Sequence, residues 1–585
     1  MGSHILDLSN VNIALLRLLP GKPGDEIVCD VRTVPLKSDP VYETLSYVWG
    51  DQSNTRQITC DGSPRVITES LHLALSRLRL RDKPRTMWID QLCIDQTNDV
   101  EKSLQVSVMR DIYRKASRGL IWLGELPTEE QTGFPETHVA LVFQCLTEMI
   151  TDLPNAGSSA EGVRARDLGE VILALMGSQW AKWQGVKWWQ RIWTIQEAKL
   201  PKESDLMWGG YTLSFDILKR VAVGLVMVDS GVGQRFEQCF ALGPLSNEFC
   251  IPLMNLQIND PAPILGPLYR WRSRDATNPL DKTYALMGLL PEGAFKSVPF
   301  CDYTISETEL YTRVTFDLIR HHQGFLPVCG RRGEPRMTPG LPSWVVDWTF
   351  ADDPTQRTTD YFGHCWRYNF FKCSGGKYVE PEMTPDGTGL VLQGAQVDRI
   401  AVLGSVNYLL DYRQLSTGEY DEHTLHTISL WSSVFYDWLG DRSIDEPYIG
   451  NKDMTCLEAI CRVLIGDLVY NGSEPDHQAS EEDVARVQNY ARGCWDPQIA
   501  ESARDMARSQ AFFITESGYF GIGPPDANIG DEVWVLLCGK VPHVIRRSSE
   551  KSLEFEYVGD AYVQGIMEGE VITKSTTVIE EITLR

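Results

Sequence analysis

Tyr42-Glu43-Thr44-Leu45-Ser46-Tyr47-Val48-Trp49-Gly50-Asp51 is the stretch on which the reading of this chain turns. Its core, Thr44–Val48 (TLSYV), is a short run of apolar, aromatic and small polar residues that reads as a buried strand. Two runs of the same kind follow, Thr86–Ile89 (TMWI) and Leu120–Leu123 (LIWL). Between the first two, Glu69–Leu80 puts Leu71, Ala74, Leu75 and Leu78 on one helical face. Between the second and third, Val100–Ala116 does the same with Leu104, Val108, Met109, Ile112, Tyr113 and Ala116. Strand, helix, strand, helix, strand predicts a parallel sheet covered by helices. Upstream, Asn12–Leu19 and Glu26–Pro35 flank Pro20–Asp25, a stretch rich in Pro and Gly, and predict a hairpin.

Downstream the pattern is mainly helical to about Leu290, after a polar stretch, Pro154–Glu161, that reads as a mobile loop. Ser306–His322 is a further amphipathic helix, with Ser306 as its N-cap and Glu309 as the capping-box partner. His321 and His322 close that helix, where positive charge suits the dipole. The expected organisation is an α/β domain over 1–290, a mixed, mainly helical region over 291–510 and a β unit over 511–585. In the middle region Gly389–Gln393 reads as a strand, and Ser429–Leu439 and Cys456–Leu468 as helices. In the last, Phe512–Thr515, Glu532–Leu537, His543–Arg546 and Phe555–Val558 read as strands of a small antiparallel sheet.

Composition narrows the partners. The chain has 585 residues, with 79 acidic against 55 basic side chains, a net charge of −24. Such a field repels phosphate backbones and anionic lipid, so neither nucleic acid nor a membrane surface is an expected partner. No run of apolar residues is long enough for a membrane span. The 14 cysteines are scattered without Cys-x-x-Cys spacing, which reads as reduced thiols in a cytoplasmic protein. His423 and His426 lack a nearby third ligand, so no metal is expected. Nucleophile-elbow, phosphate-loop and zinc-protease signatures are all missing.

Three segments concentrate chemistry at strand ends instead. They are Tyr42–Asp51, Trp88–Gln96 (WIDQLCIDQ) and Trp188–Glu197 (WWQRIWTIQE). In a doubly wound sheet, ligands bind in the crevice beyond the carboxyl ends of the strands. Ser46, Tyr47, Trp49, Gly50, Asp51, Asp90, Cys93 and Gln96 are the candidates there from the first two segments. The alternative is that the tryptophans are core and the acids cap helices.

These segments resemble the signature of the fungal heterokaryon-incompatibility (HET) domain family. The matching residues are Leu45–Asp51, then Trp88–Gln96 continuing through Glu101, Gln105, Met109, Ile112-Tyr113, Ala116 and Trp122–Gly124, then Arg191–Glu197. The likeness runs in order over about residues 10–290 and takes in Asn278–Lys282 (NPLDK), with weaker likeness in Pro342–Trp344, Gly521–Asp531 and Tyr562–Glu570. Asp95 departs from the family, which often has Asn there, and Ser70 stands where a polar amide is common.

The resemblance implies an allorecognition or cell-death role and a fold similar to Toll-receptor-type (TIR) domains, a flavodoxin-like parallel sheet with flanking helices. By that likeness Glu197 would be the carboxylate that assists cleavage of the nicotinamide–ribose bond of NAD. NAD would then be a substrate, and no cofactor would be required. Trp49 or Trp193 could stack on the cationic nicotinamide, Arg191 could hold the pyrophosphate, and Gln196 would join the ligand-binding set. By default, though, a glutamate in TIQEAKL lies on a solvated helix face or pairs with Arg191. Two other functions stand beside this one: a non-catalytic module acting by assembly, with self-association open, and a tailoring enzyme taking a polyketide or terpenoid in the same crevice.

Overall fold

The computed structural model describes residues 11–151, 162–227, 231–257, 263–329, 337–349, 368–406, 417–470, 476–508, 510–549 and 552–585. The loop expected at Pro154–Glu161 lies outside them. Two compact units emerge: Met1–Ala294 with Val298–Ser306, and Phe295–Ser297 with Glu307–Arg585.

The first unit is built on one nine-stranded sheet. Its strands are β1 (Asn12–Leu18), β2 (Val28–Pro35), β3 (Glu43–Tyr47), β4 (Thr55–Cys60), β5 (Ser63–Thr68), β6 (Arg85–Trp88), β7 (Arg118–Trp122), β8 (Ser204–Trp208) and β9 (Tyr211–Ser214). They lie in the order β5-β4-β2-β1-β6-β3-β7-β8-β9. The three strands expected from the sequence are β3, β6 and β7, and β3 pairs in parallel with both others. With β8, parallel to β7, they form a four-stranded parallel core. Taken in chain order these four strands stand 2-1-3-4 across the sheet, so the chain leaves β3 first to one side and then to the other. In a doubly wound sheet the strand order reverses at such a point, here between β3 and β7.

The sheet as a whole is mixed rather than parallel. The predicted hairpin is present, β1 against β2 in antiparallel register, and β1 also runs antiparallel to β6. The antiparallel hairpins β4–β5 and β8–β9 were not anticipated. The first turns at Asp61-Gly62, both with positive φ, the conformation that suits a tight hairpin.

Local chemistry accounts for the helices. Thr68 caps Glu69–Leu78 by accepting from the Leu71 N–H, and Leu71, Ala74, Leu75 and Leu78 are buried as the pattern required. The helix expected over Val100–Ala116 is two helices, Asp99–Ser107 and Met109–Lys115, broken at Val108. Ser103 and Ser107 each donate back to the carbonyl four residues earlier, a habit that bends helices. Both hydroxyls also accept, from the N–H groups of Tyr303 and Cys301, which competes with regular helix packing there.

In the second unit the strand Leu390–Val406 is the spine, far longer than the five residues expected. It pairs along its length with Glu580–Leu584, Glu532–Leu536 and Ala511–Thr515. His543–Arg547 and Glu554–Asp560 complete a closed ring of five strands. The small antiparallel sheet is therefore a barrel, with one parallel pair, Glu554–Asp560 beside Glu580–Leu584. Ala395, Ile400, Phe513, Val533, Val535 and Val544 belong to its core. The helix Glu307–His322 begins directly after Ser306. Its last residue overturns the dipole argument: burial pushes the His322 imidazole down to about 4, so it is neutral. The helix Cys456–Leu464 stops four residues early because Gly466 and Asp467 turn left-handed and the Asp467 N–H closes onto the Arg462 carbonyl.

Candidate functional site

The site lies at the carboxyl ends of β3 and β6, against the helix Trp193–Lys199. Side chains alternate across a strand, so Ser46 and Tyr47 face opposite sides of the sheet. Ser46 donates to the Glu197 carboxylate and accepts from the Trp188 indole N–H at 2.7 Å. Tyr113 donates to the same carboxylate. Glu197 is only 4% exposed and Ser46 2%, so the default of a solvated helix face is wrong for this glutamate. Burial is the main cause that pushes its carboxyl up, to about 7; Asp90 adds to the rise, while Arg191 and the hydrogen bonds from Ser46 and Tyr113 oppose it.

On the other face, the Tyr47 hydroxyl donates to Gln91 at 3.1 Å. Burial holds that phenol well above its ordinary range. Asp90 follows β6 and accepts from the Trp49 indole at 2.8 Å and from the Gln91 backbone at 2.8 Å. Burial raises the Asp90 carboxyl, against the opposing pull of Arg191. Gln96 donates to the Asp90 carbonyl at 3.1 Å, which folds the Asp90–Gln96 segment on itself. Arg191 donates to the Tyr47 carbonyl and so fastens the third segment to the end of β3. Trp49, Asp90, Gln96 and Arg191 are half-buried, and Ser46, Tyr47, Tyr113, Trp188 and Glu197 are buried.

The remaining candidates point elsewhere. Gly50 and Asp51 are exposed; Gly50 adopts φ +74, and Asp51 accepts from Ser53, which holds its carboxyl below the usual range. Cys93 is buried, its sulfur accepting from the Ile89 N–H at 3.4 Å, and burial pushes its thiol up to about 12. The Trp193 indole donates to Asp281, which also accepts from Tyr303 at 2.6 Å. Gln196 packs so closely on Gly288 that a Cβ there would stand 1.8 Å from its amide nitrogen. Trp193 and Gln196 thus brace the helix while Glu197 faces the sheet.

Gln91, Tyr113, Trp188 and Asp281 join this network without having been singled out. Each lies inside a quoted segment, but Gln91 carries no charge, apolar patterning absorbs Tyr113 and Trp188, and Asp281 was read only as part of NPLDK. That segment works as a clamp. Lys282 donates to the carbonyls of Arg272 and Arg274 at 3.0 and 2.5 Å, and Asp275 exchanges backbone hydrogen bonds with Gln190 and Ile192. Among the described residues, no cluster of three or more His, Cys, Asp or Glu side chains is arranged to hold a metal ion. Among them, too, no helix is long and apolar enough to cross a membrane.

A parallel core with acids, an arginine and indoles gathered at its strand ends defines an α/β domain with a polar strand-end site. Residues 42–197, which contain all of these side chains, match the family described as Heterokaryon incompatibility protein (HET), and residues 484–578 match the Het-6 beta-barrel domain. The chain is a HET-domain protein that also carries a Het-6 barrel. It is similar to heterokaryon incompatibility protein 6, OR allele, of Neurospora crassa, at 24% identity over 96% of this chain and 94% of that protein. No solved structure matches it.

Proposed function

We propose that the chain acts in the cytoplasm in heterokaryon incompatibility, and that its first unit cleaves the nicotinamide–ribosyl bond of NAD with a TIR-like site. The observation that carries the reading is Glu197: a carboxyl pushed up to about 7, beside Ser46 at the end of β3. Near neutrality such a group is available both as carboxylate and as acid. Nicotinamide leaves as a neutral ring, so no strong acid is needed. A carboxylate beside the anomeric carbon stabilises the oxocarbenium-like charge and can then take the proton of the attacking water. Arg191, half-buried at the end of β3, is a bidentate donor suited to the pyrophosphate, and Trp49 offers an aromatic face. The role in incompatibility rests on the likeness to the Neurospora protein.

The test is nicotinamide release from NAD by the purified chain, across concentrations at which it does and does not self-associate. Release that disappears in Glu197→Gln supports the reading. An inactive protein in every assembly state removes the catalytic part. One observation favours a second reading, an assembly module without catalysis: Ser46 and Glu197 satisfy each other and are almost wholly enclosed. Incompatibility function that survives Glu197→Gln decides for that reading. A polyketide or terpenoid substrate is less well supported, because Asp90, Gln96 and Arg191, the half-buried groups there, are polar or charged.

A further inference from the structure

The strands β3, β7 and β8 are neighbours in the sheet of the first unit and run in parallel, so their first residues, Glu43, Arg118 and Ser204, lie together at one edge. The Ser46–Glu197 site is at the other end of β3, about the length of a five-residue strand away, roughly 16 Å. The segments that lead into the three strands form an open cavity of about 590 Å³. Its lining includes Asp39 ahead of β3, Arg114, Lys115 and Ser117 ahead of β7, and Lys202 ahead of β8. We propose that this cavity binds the phosphate group of a small, soluble phosphate ester.

The acids of this edge already have cations. Asp39 pairs with Lys115 at 2.6 Å, and the same ammonium donates to the Leu36 carbonyl at 3.3 Å. Arg118 takes Asp205 at 2.6 Å and Glu203 at 3.3 Å, and Glu43 pairs with Arg85. Arg114 and Lys202 are different. Among the described residues neither forms an ion pair or a side-chain hydrogen bond, Arg114 not even with Asp111 one turn earlier. The dipole of the helix Met109–Lys115 accounts for a cation in its last turn, but not for Lys202, which comes from another segment. Two cations with all their N–H donors unused thus line one cavity, in a chain whose net charge is −24.

A phosphate monoester carries roughly two negative charges near neutrality, which these two cations match. The Arg114 guanidinium suits two phosphate oxygens at once, and Lys202 supplies a point charge. Ser117 gives its proton to the Tyr42 carbonyl at 2.7 Å, which leaves its oxygen as an acceptor for a ligand hydroxyl. The volume falls in the range of sites for organic ligands and exceeds what a bare anion needs. Because it lies at the opposite strand ends, this site stands apart from the identity of any ligand beside Glu197.

The experiment acetylates the lysines of the full chain with an N-hydroxysuccinimide ester and follows each site by mass spectrometry, in phenyl phosphate or in sodium chloride of equal ionic strength. Phenyl phosphate should slow acetylation of Lys202 severalfold and leave the exposed Lys187 unchanged. Arg114 is exposed, so Arg114→Gln should keep the circular dichroism of the parent and lose the protection of Lys202. Equal rates at Lys202 with and without phenyl phosphate overturn the proposal, as does protection that survives Arg114→Gln. Binding to vesicles of phosphatidylcholine and phosphatidic acid, without any response to phenyl phosphate, also overturns it, because the cations then read a lipid surface.

Discussion

Ser46 and Glu197, 151 residues apart in the chain, share a buried hydrogen bond in which the serine donates and the carboxylate accepts. The same hydroxyl accepts from Trp188, so one side chain joins a strand end, a 3-10 turn and a helix.

Ser46→Ala should therefore leave two buried polar groups short of a partner, the Trp188 indole and one oxygen of Glu197. The expected cost to the first unit is ~1–3 kcal/mol. Urea unfolding followed by tryptophan fluorescence measures it, and a change below a few tenths of a kcal/mol would show that the bond contributes nothing.

Glu197 makes stability depend on pH with a definite sign. Its carboxyl ionises near 7 in the folded chain, against 4.5 for the ordinary side chain. Between those values the folded state binds more protons than the unfolded one, so stability falls as pH rises, by on the order of 3 kcal/mol across the window. Glu197→Gln should abolish this slope. Parallel unfolding curves of parent and variant from pH 4.5 to 7.5 test it, and identical pH dependence would refute it.

His543 works in the opposite sense in the barrel. It is fully buried, shares a 3.3 Å contact with the Tyr557 hydroxyl, and burial pushes its imidazole down to about 4. The folded state binds fewer protons than the unfolded one between about 6.5 and 4, so the second unit loses stability as pH falls through that range. His322, also pushed down to about 4, adds to the loss. His543→Gln should flatten the acid limb of an unfolding profile, and a variant with an unchanged limb would assign the effect elsewhere.

Glu532 is a buried charge on the barrel strand Glu532–Leu536, which closes the ring against Leu390–Val406. It accepts two hydrogen bonds from Arg547, at 2.8 and 3.0 Å, one from Arg399 at 3.2 Å and one from the Trp534 indole at 2.9 Å. Its side chain is 2% exposed. Arg547→Ala should cost about 3 kcal/mol, toward the lower end for a broken buried pair because Arg399 and Trp534 remain. Glu532→Gln combined with Arg547→Gln should recover part of that loss in thermal unfolding. A double variant no more stable than Arg547→Ala would argue against an uncompensated charge as the cause.

Much of the parallel core was legible because β3, β6 and β7 are apolar runs bounded by helices of clear period. The hairpin β4–β5 was legible too, in Asp61-Gly62 between alternating residues, and was missed. Strands β8 and β9 were harder: each is short, and the two-residue turn Gly209-Gly210 lies within a stretch that reads as helical. Ser46 and Asp90 could be named because polar groups beside buried strands break the hydrophobic pattern, whereas Arg191 and Glu197 were named through the likeness to the HET and TIR families. The direction of a side chain could not. Trp193 turns to Asp281, and Gln196 fills the space that Gly288 leaves open, through contacts about ninety residues away in sequence that no local pattern encodes.

The long strand Leu390–Val406 and the closing strand Glu580–Leu584 set a timetable for synthesis. By the time Ser214 leaves the ribosome, every strand of the first sheet has been made. The five-strand ring is different, because Leu390–Gly394 waits nearly two hundred residues for its neighbour. Throughout that interval an apolar strand edge stands unpaired, the condition under which nascent chains aggregate or engage chaperones. A ribosome stalled late in the message would therefore hold a finished first unit tethered to a second that cannot close.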